Sequence, residues 1–300
     1  MTSVRYVITF IAVCLSAAHA WPAKAQAREK LPVVATFSIL ADFVRNVGGD
    51  RIEVAALVGP DGDTHVYQPK PADAEKLAAA RLIVVNGLGL EGWIDRLIKA
   101  SGAKAPVIVA TKGINPQHMR EGGRVGLDPH AWQSIANAKI YVANIRDGLI
   151  AADPGGEAVY RANAENYLAK LDALEKEVKA EIAKIPPKHR EIITTHDAFG
   201  YFGAVYGFRF IAPEGVSTEA EASARDVAKI IRQIRAQKIP AVFLENVTDP
   251  RLVQSIATES GAKVGGTLYS DALSPPDGPA STYIDMMRNN VKELSAALAN

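Results

Sequence analysis

Residues 153–187 read DPGGEAVYRANAENYLAKLDALEKEVKAEIAKIPP, and the reading of this stretch decides the architecture. Asp153-Pro154 is a good helix start: an aspartate cap, then a proline whose missing N–H and fixed φ suit the first turn. Beyond it Tyr160, Ala164, Tyr167, Leu168, Leu171, Leu174, Val178, Ile182 and Ile185 recur mostly three and four apart. That is one apolar stripe on one helix face, closed by Pro186-Pro187. About 30 residues at 1.5 Å rise predict a helix of roughly 45 Å. A helix of that length can run the whole height of the molecule as a single stiff connector.

On both sides of this connector, short apolar runs alternate with helical patterns. Before it, strands are expected at Leu31–Phe37, Ile52–Val58, Leu82–Val85 and Pro106–Ala110, with helices near Ala41–Val47, Ala72–Ala80, Leu90–Ala100 and Ser134–Ala151. After it the plan repeats, with strands at Ile192–Thr195, Phe208–Ala212, Ala241–Leu244 and Ala262–Leu268 and a last helix from Thr282 to Leu298. Continuous apolar strands separated by helices imply parallel sheets covered on both faces. The fold class is therefore α/β: two lobes, each with a mostly parallel sheet covered by helices and its own core, joined by one long helix. The expected division is a signal peptide at 1–27, an N-terminal lobe at 28–152, the linking helix at 153–186 and a C-terminal lobe at 187–300.

The first residues set the compartment. Arg5 gives a short basic start, and Tyr6 to Ala18 is an apolar run without a charge, too short to span a bilayer. Ala18-His19-Ala20 and Ala25-Gln26-Ala27 are both small-x-small cleavage sites, and cleavage is expected after Ala27. The only cysteine, Cys14, lies inside this segment behind Val13, where a lipid-attachment site needs a small residue, so no lipid anchor is expected. The mature chain then has no thiol, which removes disulfides, thiolate metal sites and cysteine nucleophiles together. The 34 basic against 33 acidic residues give no electrostatic case for nucleic acid or an anionic membrane. An exported, soluble periplasmic monomer fits these features.

Four residues stand just past expected strands or in the loops after them: His65, His130, His196 and Asp271. Each alone is weak, since a loop histidine is usually solvated and a loop aspartate usually caps a turn. Together they share one property: all are expected at carboxyl ends of strands or in the loops that follow. That is the edge at which open α/β sheets bind ligands, and two such edges facing one another would bring them together. Three imidazoles and one carboxylate make a closed four-ligand set for a borderline divalent metal. Glu245, at the end of strand Ala241–Leu244, is the candidate for a carboxylate behind a ligating imidazole. His118, in the run Gly113–Gly126, is read as a solvated loop histidine, and His189 as a charge at a helix C-terminus.

The runs Gly62-Asp63-Thr64-His65 with Tyr67-Gln68-Pro69, Asp128-Pro129-His130-Ala131-Trp132, His196-Asp197-Ala198-Phe199-Gly200-Tyr201-Phe202 and Tyr269-Ser270-Asp271 carry a specific resemblance. In order and spacing they resemble the solute-binding proteins of zinc and manganese ABC transporters, the cluster A-I metal-binding family, over essentially the whole chain after the leader. Glu219-Ala220-Glu221-Ala222-Ser223-Ala224-Arg225-Asp226 also resembles that family's stretch after the third ligand, with Ala222 in place of the usual proline. The resemblance implies two lobes on one long helix, metal ligation by His65, His130, His196 and Asp271, and a permease partner. A histidine as third ligand is commoner in its zinc binders, and glutamate in its manganese binders. His196 therefore favours Zn²⁺, with Mn²⁺ as the alternative.

The rival from another class is a secreted zinc hydrolase. Catalytic zinc usually keeps three protein ligands and an open position, whereas this set supplies four. Neither an HExxH helix nor a Gly-x-Ser-x-Gly elbow occurs. A binding protein and not an enzyme is expected, with metal affinity falling as pH drops through about 6.5, the ordinary range of histidine.

Overall fold

The structure, a computed structural model, describes residues 29–121, 124–215, 217–219 and 222–299. The expected leader at 1–27 lies outside the described residues, as do Ala220 and Glu221.

The first half runs β1 (Leu31–Phe37), α1 (Ser38–Gly48), β2 (Ile52–Val58), α2 (Pro71–Ala79), β3 (Leu82–Val85), α3 (Ile94–Ser101) and β4 (Val107–Val109). A hairpin of β5 (His118–Glu121) and β6 (Arg124–Leu127) leads to α4 (Ile135–Ala152). The connector α5 (Glu157–Ile182) comes next. The second half runs β7 (Glu191–Ile193), α6 (Gly200–Tyr206), β8 (Arg209–Ile211), α7 (Ala224–Gln237), β9 (Ala241–Glu245), α8 (Pro250–Ser260), β10 (Lys263–Leu268) and α9 (Tyr283–Leu298). Among the described residues the sheets are β2-β1-β3-β4 and β10-β9-β7-β8, parallel throughout, plus the antiparallel hairpin. In each parallel sheet the first strand of the half lies inside, the second on one flank, and the third and fourth on the other. The order of winding therefore reverses between β1 and β3 and again between β7 and β9, the position at which parallel sheets open a crevice at the carboxyl edge.

Several boundaries differ from the sequence reading, each for a local reason. The connector has 26 residues, about 39 Å, because Pro154–Gly156 forms a 3-10 turn and α-helix begins only beyond the two glycines. α3 starts at Ile94, four residues later than expected, after a left-handed turn in which Gly87, Leu88 and Gly89 all have positive φ. β7 stops at Ile193, since the N–H groups of Thr195 and His196 turn away to the carboxylate of Glu245. The run Gly113–Gly126 contains most of an ordered hairpin, in which exposed His118 pairs in register with Leu127. Ser134 and Thr282 cap α4 and α9 through their side chains, as side-chain oxygens at helix starts do.

The core also departs from expectation. Instead of one core per lobe, a single hydrophobic cluster runs from Leu31 to Leu298 through α1, α4, α5 and α9. The connector's stripe of Tyr160, Ala164, Tyr167, Leu171, Leu174, Val178 and Ile182 is buried in it. A smaller cluster, including Ile193, Ile231, Val242 and Val253, lies under α7 and α8. Where α1, α5 and α9 meet, the buried Asp42 accepts the backbone N–H of Tyr283 at 3.0 Å and the hydroxyl of Tyr167 at 3.4 Å. Burial outweighs these donors and pushes its pKa up to about 6.

Leu171 has no solvent exposure on the connector. Leu171→Ala should destabilise the protein by about 2–5 kcal/mol and, because one core serves both halves, lower a single cooperative urea transition. Two separated transitions would contradict the shared core.

Candidate metal centre

Each of the four side chains singled out from the sequence is set by its own loop. The loop after β2 turns on Asp63, whose Oδ1 accepts the His65 N–H at 2.9 Å. Trp93 Nε1 donates to Thr64 O at 2.9 Å, pinning the same loop to the start of α3. His130 lies just after the hairpin. Asp128 Oδ1 accepts its N–H at 2.9 Å and lies 2.8 Å from its Nδ1, so a single carboxylate sets both backbone and ring. That ring contact makes Nδ1 the protonated nitrogen and turns Nε2 toward the crevice.

His196 is held in the same way from the other half. Glu245 Oε1 accepts the N–H groups of Thr195 and His196 at 2.7 and 2.9 Å. Its Oε2 lies 2.6 Å from His196 Nδ1, an ion-pair distance with poor alignment for a hydrogen bond. Asp271, just beyond β10, stands on a segment gripped from both halves. Asn290 of α9 pairs with the N–H and the C=O of Tyr269 at 2.8 Å each. Trp132 Nε1 and Gln133 Nε2 donate to Ser270 O at 2.9 and 2.8 Å, and Ser38 Oγ accepts the Leu273 N–H at 2.9 Å.

The four side chains converge. Asp271 Oδ2 lies 3.1 Å from His65 Nε2 and 3.2 Å from His196 Nε2, its Oδ1 lies 3.5 Å from His130 Nε2, and the Nε2 atoms of His65 and His130 are 3.2 Å apart. One ligand atom from each residue falls within 4.8 Å of every other. A tetrahedron of donors around Zn²⁺ at about 2.0–2.1 Å has edges of roughly 3.3–3.4 Å, near the four separations just given, while the whole set is held only to within 4.8 Å. His130, His196 and Asp271 are fully buried, and the His65 side chain is 6 % exposed. Beside His65 lies a groove of about 620 Å³, also lined by Tyr67, Trp93, Arg96 and Glu219, which makes His65 the ligand nearest solvent.

Burial disfavours charge here, yet the carboxylates prevail. Desolvation lowers the His130 pKa, but Asp271 and Asp128 outweigh it and raise it to about 9. His196 is pushed well above the ordinary histidine range in the same way, by Glu245 and Asp271 against its burial. Asp271 is held well below the usual carboxylate range, as His130 and His196 overcome desolvation. A cation entering this nest replaces protons as the neutraliser of the buried carboxylate.

Glu245 was legible as a carboxylate at the sheet edge; Asp128 was not singled out, although an aspartate two residues before a histidine is the spacing for such a turn. His118 lies outside the ligand set. The ring of His189 does meet a helix C-terminus, but that of α9: Nδ1 donates to Leu298 O at 2.9 Å. Ser223 caps α7 by accepting the Asp226 N–H, so Ala222 stands just before a helix start.

Residues 33–297 match the model of a family described as ZnuA, zinc-uptake complex component A, periplasmic. The iron-binding protein YfeA of Yersinia pestis is 35% identical over 290 residues, 96% of this chain and 93% of that protein. The manganese-binding lipoprotein MntA of Halalkalibacterium halodurans is 34% identical, covering 90% of this chain and 89% of its own. The solved periplasmic zinc-binding protein TroA of Treponema pallidum superposes with a TM-score of 0.85 at 30% identity, over 91% of this chain and all of that one.

Metal binding requires a free lone pair on each Nε2, and His130 keeps the second ring proton that blocks it up to a pH of about 9. Affinity for a divalent ion should therefore rise as pH increases from neutrality toward about 9 and fall below it, a higher window than ordinary histidines predict. Calorimetry in buffers of different ionisation enthalpy should find net proton release on loading at pH 7. Flat affinity between pH 7 and 9 with no proton release would refute this electrostatic account.

Proposed function

The chain belongs to the ZnuA family, the periplasmic metal-binding components of ABC transporters, and from that premise we propose that it captures Zn²⁺ through His65, His130, His196 and Asp271 and hands it to its membrane permease. The observation that carries this reading is the convergence of three Nε2 atoms and one carboxylate from both halves at spacings close to a zinc tetrahedron. Four protein ligands leave no open position for an activated water, which favours a carrier over a hydrolase.

Three neutral nitrogens against one oxygen suit a borderline ion more than a hard one. The manganese reading has its own support: a manganese-binding relative is 34% identical. Delivery in the periplasm is expected from a leader ending at Ala27. Cys14 lies within that leader, so the mature protein carries no lipid, unlike relatives named lipoproteins. The mass of protein from the envelope fraction tests that point: a diacylglycerol adduct at the N-terminus would overturn it.

The test of cargo is competitive titration with metal analysis of protein taken from its own compartment. One Zn²⁺ per chain is expected. His65→Ala and His196→Ala should weaken binding on the order of 100-fold or more, above the loss typical of residues behind the ligands. His196→Glu should move preference toward Mn²⁺ by replacing a borderline nitrogen with a hard oxygen. Wild-type titration curves for both alanine variants would remove the ligand assignment, and an unchanged Zn/Mn ratio for His196→Glu would assign selectivity to geometry.

A further inference from the structure

Both rings are braced directly by a carboxylate, His196 by Glu245 and His130 by Asp128, and the backbone of His130 has a further chain of contacts behind it that begins at the crevice of its own half. Just after β3 the left-handed turn Gly87-Leu88-Gly89 folds the chain back so that Glu91 returns to the strand end. Its Oε1 accepts the Thr36 hydroxyl and the Asn86 N–H, both at 2.6 Å, and its Oε2 accepts the Gly87 N–H at 3.1 Å. Glu91 and Asn86 are both buried. A carboxylate with three donors in such a place is a fixed post, because moving it strands every donor it serves.

Asn86 stands on that post with its polar groups in use. Thr111 donates to its carbonyl through Oγ1 at 2.6 Å and through its N–H at 3.3 Å, and the Tyr141 hydroxyl donates to its Oδ1 at 2.5 Å. Its Nδ2 donates to Gly87 O and to Pro129 O, both at 3.0 Å. Two carbonyls facing one end and a hydroxyl the other fix which way the amide points. Four of these contacts tie Asn86 to the strand ends and to α4. The fifth reaches out to Pro129, the residue before His130.

We propose that Asn86, braced by Glu91, is a positioning residue that sets the His130 ligand by holding the carbonyl of Pro129. Asp128 orients the ring from one side, and Asn86 fixes the backbone on the other, so that Nε2 meets the crevice in one place. The role rests on His130 being a ligand, as the capture reading has it, and it concerns the precision of the site and not its existence. Removing the amide donor leaves the four ligands in the chain but lets one of them drift.

Asn86→Asp keeps the shape and the acceptor for Tyr141 while removing the donor to Pro129 O. Glu91→Gln keeps the size of the post and weakens its grip on Asn86 and Gly87. The measurements are Zn²⁺ affinity by competition, the visible spectrum of the Co²⁺ form, and the melting temperature without metal. Tyr160→Phe, which loses a 2.7 Å hydrogen bond to Asp153 far from the crevice, reports what plain destabilisation does. Asn86→Asp should lose affinity on the order of tenfold with shifted Co²⁺ bands. Glu91→Gln should move in the same direction by less, and Tyr160→Phe should lower the melting temperature alone. If Asn86→Asp does not fold, Glu91→Gln decides. Wild-type affinity and spectrum in every variant that folds would overturn the positioning role. Wild-type protein that takes up no metal, or His130→Ala that still does so normally, would instead overturn the capture reading.

Discussion

A carboxylate without solvent access is the constraint on which the rest of this structure turns. Asp271 sits where ionisation is expensive; three imidazole nitrogens surround it, and His130 and His196 hold its charge against that burial. Two of those rings come from the first half of the chain and one from its own half. Bringing them together requires two sheets to present their carboxyl edges to each other. A single helix with a buried stripe, anchored in a core common to both halves, holds that relation. The capture site and the packing of the halves are one problem: each imidazole reaches the carboxylate only if the loops that carry it meet across the crevice.

The two halves solve related problems with related parts. Both parallel sheets have the same internal order, and in both a glutamate stands at the reversal of strand order, accepting backbone N–H groups there. In doubly wound folds that position commonly takes a ligand's anionic group. Here the chain fills it with its own carboxylates, Glu91 and Glu245. The two differ in reach: Glu245 contacts a ligating ring directly, while Glu91 works through an amide.

Much of this was readable from residue order. The alternation of strands and helices and the connector's stripe needed only periodicity, and His65, His196 and Asp271 follow runs that read as strands. His130 follows the hairpin strand β6, which periodicity did not show, and was carried by the resemblance of its run. Glu245 was visible because it ends an apolar run. Contacts between residues distant in sequence set the features that escaped. The grip of Trp132 and Gln133 on Ser270 O joins residues that no local pattern relates. The hairpin at 118–127 carries glycines and charges in place of an alternating pattern, so its pairing left no signal. The raised acid–base range of His130 depends on carboxylates brought near by folding, above all Asp271. The true start of the connector depended on two glycines whose weak helix preference the Asp-Pro cap signal outweighed in the reading.

The contacts that close the crevice also bear on time. Thr218 donates to Asp63, Asn246 to Asp61, the Asp61 N–H to Leu273 O, and the Tyr201 hydroxyl to Asp128 O, each joining one half to the other beside a ligand loop. One such bond is worth only about 0.5–1.5 kcal/mol, but an ion whose outlet runs past His65 leaves only when several yield together. The dwell time of a bound ion would then follow how often this set of contacts lets go. A transporter that offered substitute partners to Asp61, Asp63 and Thr218 would shorten that dwell without touching the metal, turning a slow store into a prompt donor at the membrane.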